Sequence, residues 1–292
     1  MTFSNTVTDM ARDALLSEIN LHPKPGLVDP QDCGAHSDMD YSLFLESIHA
    51  ITPFFRLFYE EGYKTAYVPA SQTLRVLRKI GIRCEQTMFT ATKGVNTHKG
   101  GVFSLGLLCG AVGRLTATKK KYTSLDICAE VSSICDGLVQ NDLEQVNSKS
   151  QYTAGESIYL RHGLGGARAE AESGFATVQR YALPAYRKAL LNGAPSDHAK
   201  LIALITLMAH NQDTNVISRV GLSGLEFVQN ASKKVLNTLQ EKGFLAFRRD
   251  VKQLNHVFIA HRISPSGSAD LLSVMLFLIN SENIFSEREI LC

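Results

Sequence analysis

Five short segments of the sequence combine charged or polar residues with glycine, and Gly94–Gly101 (Gly-Val-Asn-Thr-His-Lys-Gly-Gly) is the most distinctive. Glycine lets a backbone approach a ligand closely, Lys99 supplies a point charge for a phosphate, and His98 can exchange a proton near neutral pH. The apolar stretch Gly101–Leu115 predicts a buried helix immediately afterwards. The segment would therefore offer an anion backbone N–H groups and a helix dipole, although a solvated turn explains this segment alone equally well.

A second polar segment, His22–Asp29, contains two prolines and is closely followed by Gly34–Asp40. The prolines should stop the preceding helix and fix Lys24 on a stiff, non-helical path. Asp38 suits the N-cap of the next helix, so a purely capping role competes strongly with a chemical role for this residue. The competing structural explanation is weaker for Lys24, which has no helix end to complement.

The third segment, Gly163–Glu172, places one guanidinium beside two carboxylates. Arg168 suits bidentate recognition of phosphate, whereas carboxylates near phosphates suggest Mg²⁺. If the segment is helical, Glu170 and Glu172 cannot share a face because they are two residues apart. At least one of them should then face solvent or support the site indirectly.

The fourth segment, Asp213–Arg219, follows the very apolar stretch Leu201–Ala209 and so places polar groups at the rim of the core. Asp213 and Asn215 carry hard oxygen ligands suited to Mg²⁺, and Arg219 could meet a phosphate.

The fifth segment, Ser264–Asp270, precedes the apolar stretch Leu271–Ile279. Ser268 could cap that helix and Asp270 would then lie in its first turn, where the helix dipole favours an acid. A purely structural role therefore competes with a chemical one for Asp270.

Helical periodicity dominates the chain, and no segment shows the sustained alternation of a strand; Tyr63–Val68 is the best strand candidate and is weak. We therefore expect an all-α protein, a single compact domain over residues 1–292, with the site where loops meet helix ends. Gly81 and Gly243 should each end a helix, Thr123 should begin one, and Thr153–Glu156 suggests a capping box. The predicted helices are Met10–Asn20, Tyr41–Gly62, Ala70–Gly81, Glu85–Lys93, Gly101–Leu115, Thr123–Gln140, Thr153–His162, Glu170–Tyr181, Pro184–Asn192, Ser196–His210, Leu222–Gly243, Ala246–Arg262 and Ser268–Asn280.

The bulk composition sets limits on function. A net charge of +2, from 30 basic and 28 acidic residues, creates no field that would attract nucleic acid or an anionic membrane. The longest apolar runs fall short of the ~20 residues that a membrane span requires, and charges interrupt the first 20 residues, unlike a secretory signal. Six cysteines without Cys-x-x-Cys pairs favour reduced thiols. We therefore expect a soluble, cytoplasmic protein, and the apolar segment Phe54–Tyr59 suggests a homodimer surface.

Standard motifs narrow the chemistry further. Lys99 precedes Gly100 and no Gly-Lys-Ser/Thr follows, so Gly94–Gly101 is not a Walker loop, and Gly163–Arg168 lacks the third glycine of a dinucleotide fingerprint. His-Glu-x-x-His, Cys-x-x-Cys and Gly-x-Ser-x-Gly do not occur, which disfavours zinc and serine-hydrolase chemistry. Cations, hard carboxylates and glycine turns suit a magnesium-complexed polyphosphate and chemistry at a sugar carbon.

Taken in order, these segments resemble the successive signature segments of the triphosphoribosyl-dephospho-CoA synthase family, which makes the prosthetic-group precursor of citrate lyase. A related branch serves malonate decarboxylase by the same reaction. The resemblance spans nearly the whole chain, and three positions depart from the family pattern by replacing an expected glycine: Ala169, Val220 and Ser266. The segments that carry the resemblance are His22–Asp29 with Gly34–Asp40, Gly94–Gly101, Gly165–Glu172, Asp213–Arg219 and Ser264–Leu272.

The resemblance implies transfer of the 5-triphosphoribosyl group of ATP to a ribose hydroxyl of 3′-dephospho-CoA, with release of adenine. Mg²⁺ and cations would hold the triphosphate intact, negative charge would stabilise an oxocarbenium-like ribose, and a carboxylate or histidine would take the acceptor proton. The product would pass to the transferase that modifies the acyl carrier protein of citrate lyase.

Within that reaction we expect Asp29 or Asp38 to be the base and His98 to be an acid or a phosphate donor. Glu170 and Asp213 would act as catalytic acids or metal ligands, and Asp270 as a metal ligand. The predicted substrate- and phosphate-binding residues are Lys24, Gly94, Asn96, Thr97, Lys99, Gly100, Arg168, Asn215, Arg219 and Ser268.

Three alternatives remain at this point. A magnesium-dependent nucleotide N-glycosidase, similar to ADP-ribosyl hydrolases, would use the same carboxylates with water as the acceptor. The malonate decarboxylase counterpart would make the same product for another enzyme. A helical protein that only binds nucleotides would release no adenine with any acceptor.

Overall fold

A computed structural model describes residues 3–119, 121–144 and 152–290. Within these ranges the chain forms α-helices and two short π-helical segments and contains no strand, which confirms the all-α prediction. The π-helical segments are Gln140–Glu144 and Val178–Ala182. The α-helices are α1 (Phe3–Ile19), α2 (Tyr41–Lys64), α3 (Ala70–Ala91), α4 (Lys99–Thr118), α5 (Ser124–Ile134), α6 (Ala154–His162), α7 (Gly166–Glu172), α8 (Leu183–Leu191), α9 (Ser196–His210), α10 (Thr214–Ala260) and α11 (Ser266–Ile290).

Two predicted helices, Ala70–Gly81 and Glu85–Lys93, form one continuous helix, so the prediction that Gly81 ends a helix was wrong. Glycine costs only about 1 kcal/mol inside a helix, and the apolar face continues across it. That buried face includes Leu77, Ile80, Cys84 and Met88. The weak strand candidate Tyr63–Val68 is also wrong, because it comprises the end of α2 and a turn.

Helix α10 begins at Thr214 and is interrupted where Gly221 and Gly243 adopt φ values of 77° and 78°. The break at Gly221 directly precedes the predicted helix start at Leu222, and the helical turns between Thr214 and Val220 were not predicted. The predicted helix end at Gly243 is therefore confirmed as a break in helical geometry. The earlier start places the polar residues after Asp213 on a helical turn instead of a loop.

Helix caps correct one further prediction. Asp40, not Asp38, caps α2, because its Oδ1 accepts the backbone N–H of Leu43 at 2.8 Å. The predicted capping box at Thr153 and Glu156 is present. Asp38 therefore does not cap α2, and its carboxylate is available for other contacts.

Helix α4 lies at the centre of the fold, where it packs against α1, α2, α3, α5 and α11. By length and composition α4 could cross a membrane, but 78% of its apolar window is buried inside the structure. That burial is the pattern expected of a central core helix, as the sequence predicted for Gly101–Leu115.

Half of the apolar segment Phe54–Tyr59 belongs to the core of this chain. Phe55, Phe58 and Tyr59 are buried among the neighbouring helices, whereas Phe54 and Leu57 are only partly buried. The homodimer stays a prediction. Apolar periodicity alone does not distinguish a face buried within one chain from a face buried between two chains.

Arg114 of α4 is buried and fixes the connection between α2 and α3. Its guanidinium donates to the carbonyl oxygens of Thr65 and Val68 and, at 2.8 Å, to Thr73 Oγ1. It also pairs with Glu130 of α5. These contacts compensate the burial of the charge and hold α4 in place.

Four cysteines are buried free thiols and Cys33 is an exposed one, while Cys292 lies outside the described residues. Burial raises the pKa of Cys84, Cys128 and Cys135 to about 12, so these thiols stay protonated. This state agrees with the predicted role of cysteine as a small core residue.

Candidate active site

All five polar segments meet at one cavity of about 480 Å³. The elements that contribute are the loop between α1 and α2, the N-terminal ends of α4, α10 and α11, and helix α7. Convergence is therefore observed, at the junctions of loops and helix ends where we expected it. The predicted site residues that line the cavity are Lys24, Asp38, Asn96, Thr97, His98, Lys99, Gly100, Arg168, Glu170, Asp213, Asn215, Arg219 and Asp270.

Three predicted site residues do not line the cavity, and Asp29 is the first of them. Its carboxylate is buried and lies 2.7 Å from His22 Nδ1, and it accepts the backbone N–H groups of Gln31 and Lys24 at 2.8 and 3.2 Å. Asp29 thus organises the proline-rich loop that carries Lys24, and its oxygens face loop donors instead of the cavity.

Gly94 is exposed and terminates α3. It adopts a φ of +91°, and its N–H donates to the Phe89 carbonyl at 2.7 Å. A Cβ at this position would meet nothing within 4 Å, so the glycine is required by the backbone conformation and not by a close neighbour.

Ser268 is the third predicted residue outside the cavity wall. Helix α11 begins at Ser266, so Ser268 does not cap it. Its buried hydroxyl instead lies 3.2 Å from Asp213 Oδ2 and accepts Asn211 Nδ2 at 3.2 Å. Ser268 therefore positions Asp213 from behind.

Asp213 lines the cavity and also joins α10 to α11. It caps α10 by accepting the N–H of Asn215 at 3.1 Å, and it accepts the N–H of Ser268 at 2.9 Å. Burial raises the pKa of Asp213, while these hydrogen bonds oppose the shift. Most of its acceptor capacity is already used, so a cation would find few free lone pairs here.

Glu170 is half-buried in the cavity wall. Its two oxygens accept the Thr177 hydroxyl at 2.5 Å and the Thr177 N–H at 3.2 Å. Burial raises the pKa of Glu170, and the two bonds from Thr177 oppose the shift. Glu172 lies outside the cavity, where its Oε2 accepts the N–H of Val139 at 3.4 Å, in agreement with the expectation that the two acids could not share a face.

Asp270 lies against the N-terminus of α4, where the N–H of Gly101 donates to it. An added Cβ on Gly100 would lie 2.0 Å from Asp270 Oδ2, so only glycine allows this approach. Burial, followed by the charges of Glu18 and Asp213, raises the pKa of Asp270 well above its usual range. Asp270 is thus an acid with a strong electrostatic need for a cation or a proton.

Sequence reasoning missed Glu18, a buried acid of α1 that lines the same cavity. Its Oε1 accepts Lys24 Nζ at 2.5 Å, and Lys24 is completely buried. Burial raises the pKa of Glu18, and Lys24 opposes the shift. The available signal was a charge on the apolar face of α1, at helical spacing from Ala11 and Leu15.

His98 is held in the cavity wall by a chain of hydroxyl groups. Thr97 Oγ1 donates to Ser47 Oγ at 2.7 Å, and Ser47 Oγ lies 2.7 Å from His98 Nδ1. An imidazole that accepts from Ser47 carries its proton on Nε2, and one that donates to Ser47 carries it on Nδ1. Nε2 is buried without a hydrogen-bond partner among the described residues. Burial, together with the charge of Lys24, lowers the pKa of His98 to about 3.

The rim of the cavity carries three exposed or half-exposed cations. Arg219 donates to the carbonyl of Ala35 and to His36 Nδ1, at 3.2 and 3.1 Å. Lys99 lies 3.4 Å from Glu85, and Arg168 lies 3.3 Å from Asp142. These cations keep donors available for anionic ligands, because a guanidinium has five N–H groups and an ammonium has three.

The donor set partly suits a hard divalent cation. No group of three or more potential ligands lies close enough to hold a metal among residues 3–119, 121–144 and 152–282. Asp213 and Asp270 nevertheless share the cavity, and of the two Asp270 has the smaller compensation by hydrogen bonds for the burial of its charge. This arrangement fits Mg²⁺ that arrives with a polyphosphate, since Mg²⁺ usually takes one or two carboxylates and completes its shell with phosphate oxygens and water.

The fold and the cavity define an all-α protein whose site combines cations with carboxylates where loops meet helix ends. The family model described as "CitG: ATP:dephospho-CoA triphosphoribosyl transferase" matches residues 4–289, and the chain belongs to this family. The predicted family and the predicted class of enzyme, a transferase, are therefore confirmed.

Curated relatives support the same assignment. The chain is 49% identical over 265 residues to 2-(5''-triphosphoribosyl)-3'-dephosphocoenzyme-A synthase of Pectobacterium atrosepticum, which covers 91% of this chain and 85% of the relative. It is 42% identical over 275 residues to the protein of the same name from Klebsiella pneumoniae, covering 93% and 89%. A probable synthase of Vibrio cholerae is 43% identical over 291 residues, covering 98% and 92%. No solved structure matches the chain.

The three departures from the family pattern cost no backbone strain. Ala169 lies inside α7, Ser266 begins α11 and Val220 lies within α10. None of the three has a positive φ. Glycine is therefore not needed for the local conformation at these positions.

Proposed function

We propose that this protein transfers the 5-triphosphoribosyl group of ATP to a ribose hydroxyl of 3′-dephospho-CoA. The glycosidic bond between the ribose C1′ and adenine breaks, and a bond from C1′ to the acceptor oxygen forms. The acceptor hydroxyl loses a proton and adenine gains one. The observation that carries the proposal is the convergence of all five segments on one cavity in a member of this family.

The cations of the rim are placed to hold the triphosphate. Lys99, Arg168 and Arg219 approach the cavity from α4, α7 and α10, so a triphosphate can be contacted from three sides. Lys24 has a different role, because its ammonium group forms an ion pair with Glu18 in the cavity wall. We propose that this pair sets the local potential and that the rim cations make the direct phosphate contacts.

Mg²⁺ is the cation that the carboxylates of the cavity would accept. Asp270 would be the main protein ligand, since within the described chain its oxygens are less occupied than those of Asp213. The ion would neutralise part of the triphosphate charge. Asp270 and Asp213 would orient that charge in the cavity, and Glu170 would place negative charge near the developing oxocarbenium.

The exposure and the hydrogen bonds of the candidate proton carriers distinguish their roles. Asp38 lines the cavity with 61% of its side chain exposed, whereas Asp29 serves the loop, so we assign the base to Asp38. A pKa of about 3 leaves His98 neutral at physiological pH. His98 would therefore contact a phosphate or ribose oxygen by a neutral hydrogen bond from Nε2, the ring nitrogen without a partner among the described residues, and would not carry positive charge.

The substrates and the free thiols support a cellular compartment and a next reaction step for this enzyme. We place it in the cytoplasm, because its substrates are soluble nucleotides and its buried cysteines are free thiols. Its product would pass to the transferase that modifies the acyl carrier protein of citrate lyase. Transfer of the product to that carrier protein, in a reconstituted mixture of both enzymes, tests this step.

Acceptor dependence tests the proposed reaction. Incubation with ATP and magnesium should release adenine only when 3′-dephospho-CoA is present. Adenine release without the acceptor would indicate a nucleotide N-glycosidase, and binding of ATP without adenine release would indicate a nucleotide-binding protein. Either result would overturn the proposal.

The assignment of the base has its own test. Asp38→Asn should lower kcat by about 10²–10⁴-fold, with little change in thermal stability, because the side chain is exposed. Asp29→Asn should mainly lower thermal stability, because it removes a carboxylate that several loop donors need. The reverse pattern would assign the base to Asp29.

A further inference from the structure

A second, largely apolar groove of about 350 Å³ lies between α3 and α4, beside the main cavity. Leu74 and Ile82 of α3 and Phe103 of α4 form its wall. Ile82 is 57% exposed, and the other two side chains are half-buried. A wall of three partly exposed apolar side chains beside a charged site is the composition expected of a ligand-binding groove.

The groove adjoins the main cavity. Lys99, Gly100, Ala167 and Arg168 line both of them. The boundary therefore consists of two cations and two small residues.

The boundary has an excess of positive charge. Asp142 accepts from both Arg78 and Arg168, at 2.6 and 3.3 Å, so two guanidinium groups share one carboxylate. Lys99 has Glu85 as its partner at 3.4 Å. An occupant of the groove should therefore carry phosphate at the boundary and an uncharged, partly apolar chain beyond it.

We propose that this groove binds the pantetheine arm of 3′-dephospho-CoA, with the diphosphate of that substrate near Arg78, which lines the groove and not the main cavity. The inference rests on the proposed function and adds a subsite to it. Of the two substrates, only 3′-dephospho-CoA has a long uncharged chain that is attached directly to a phosphate. Adenine of ATP is attached to ribose, so it would not be reached through a phosphate boundary.

Kinetic constants for the two substrates test the proposal. Ile82→Asp should raise the KM for 3′-dephospho-CoA by about 10-fold or more, because it places a charge on the apolar wall. The KM for ATP should stay within about twofold of the wild-type value, on the premise that ATP binds outside the groove. The matched control is Leu245→Asp, which changes an 86% exposed leucine outside both cavities and should leave both KM values unchanged.

Inhibition provides a second measurement that needs no variant. 4′-Phosphopantetheine should compete with 3′-dephospho-CoA and not with ATP, and Ile82→Asp should weaken this inhibition.

Three results would overturn the proposal: an Ile82→Asp effect on the KM for ATP alone, an equal effect on both substrates, or competition of 4′-phosphopantetheine with ATP. Failure of the proposed function is distinguishable, because wild-type protein would then release no adenine in the presence of 3′-dephospho-CoA.

Discussion

Replacement of Asp270 by asparagine should change how the stability of the protein depends on pH. The pKa of Asp270 in the folded protein is raised well above the ordinary value of 3.8 by burial and by the charges of Glu18 and Asp213. Between 3.8 and the raised pKa, the folded state therefore holds one proton more than the unfolded state. The stabilisation from this extra proton on Asp270 is fully present below pH 3.8, and it is lost as the pH rises through the folded-state pKa.

The size of the effect follows from proton linkage. One extra bound proton lowers the free energy of unfolding by about 1.4 kcal/mol for each unit that the pH rises. Asp270→Asn removes this proton, while Glu18 and Asp213 remain in both proteins. The free energy of unfolding of the variant, relative to wild type, should therefore increase by up to about 1.4 kcal/mol per pH unit within this window.

Urea unfolding at a series of pH values, in buffer with a chelator, measures these slopes. Leu245→Asn is the control variant, since it changes an 86% exposed side chain outside both cavities, adds no titratable group and should leave the slope equal to that of wild type. Equal slopes for wild type and Asp270→Asn would refute the conclusion that Asp270 carries an uncompensated charge in this cavity.

Three further predictions concern the surroundings of the site. Gly100→Ala should lower kcat/KM by about 10²-fold without unfolding the protein. The new Cβ would lie 2.0 Å from Asp270 Oδ2 and would push the carboxylate out of its position. Steady-state kinetics and circular dichroism measure the two effects. Ser47→Ala should lower kcat by about 10-fold, because His98 loses the hydroxyl that is hydrogen-bonded to its Nδ1 and holds the ring in place, and an unchanged kcat would contradict that role. Arg114→Met should lower the free energy of unfolding by about 3 kcal/mol in urea titration while the folded fraction stays active, since it leaves several acceptors and a carboxylate unpaired.

The fold class and the segments that form the cavity could be predicted because both depend on local sequence patterns. Apolar spacing identified the helices, and glycine beside charged residues identified the segments that meet at the cavity. The extension of α3 through Gly81 could not be predicted, because tertiary packing of the continuous apolar face outweighs the weak preference of glycine against helix.

The detailed duties of the site residues could not be predicted, because they depend on partners that are distant in sequence. Asp29, Gly94 and Ser268 carried the right residue types, but they support the loop, the helix end and Asp213 instead of lining the cavity. Glu18 was overlooked because it stands in an ordinary amphipathic helix, and its pairing with Lys24 becomes evident only in the folded structure.

Transfer of an intact triphosphoribosyl group can be followed with ATP labelled at the γ-phosphate. The reaction with magnesium and 3′-dephospho-CoA is separated by chromatography, and the label and free adenine are followed with mass detection. We predict one adenine for each labelled product, whose mass equals that of 3′-dephospho-CoA plus the triphosphoribosyl group. Label in inorganic phosphate, or adenine without a labelled conjugate, would show that the triphosphoribosyl group is not transferred intact.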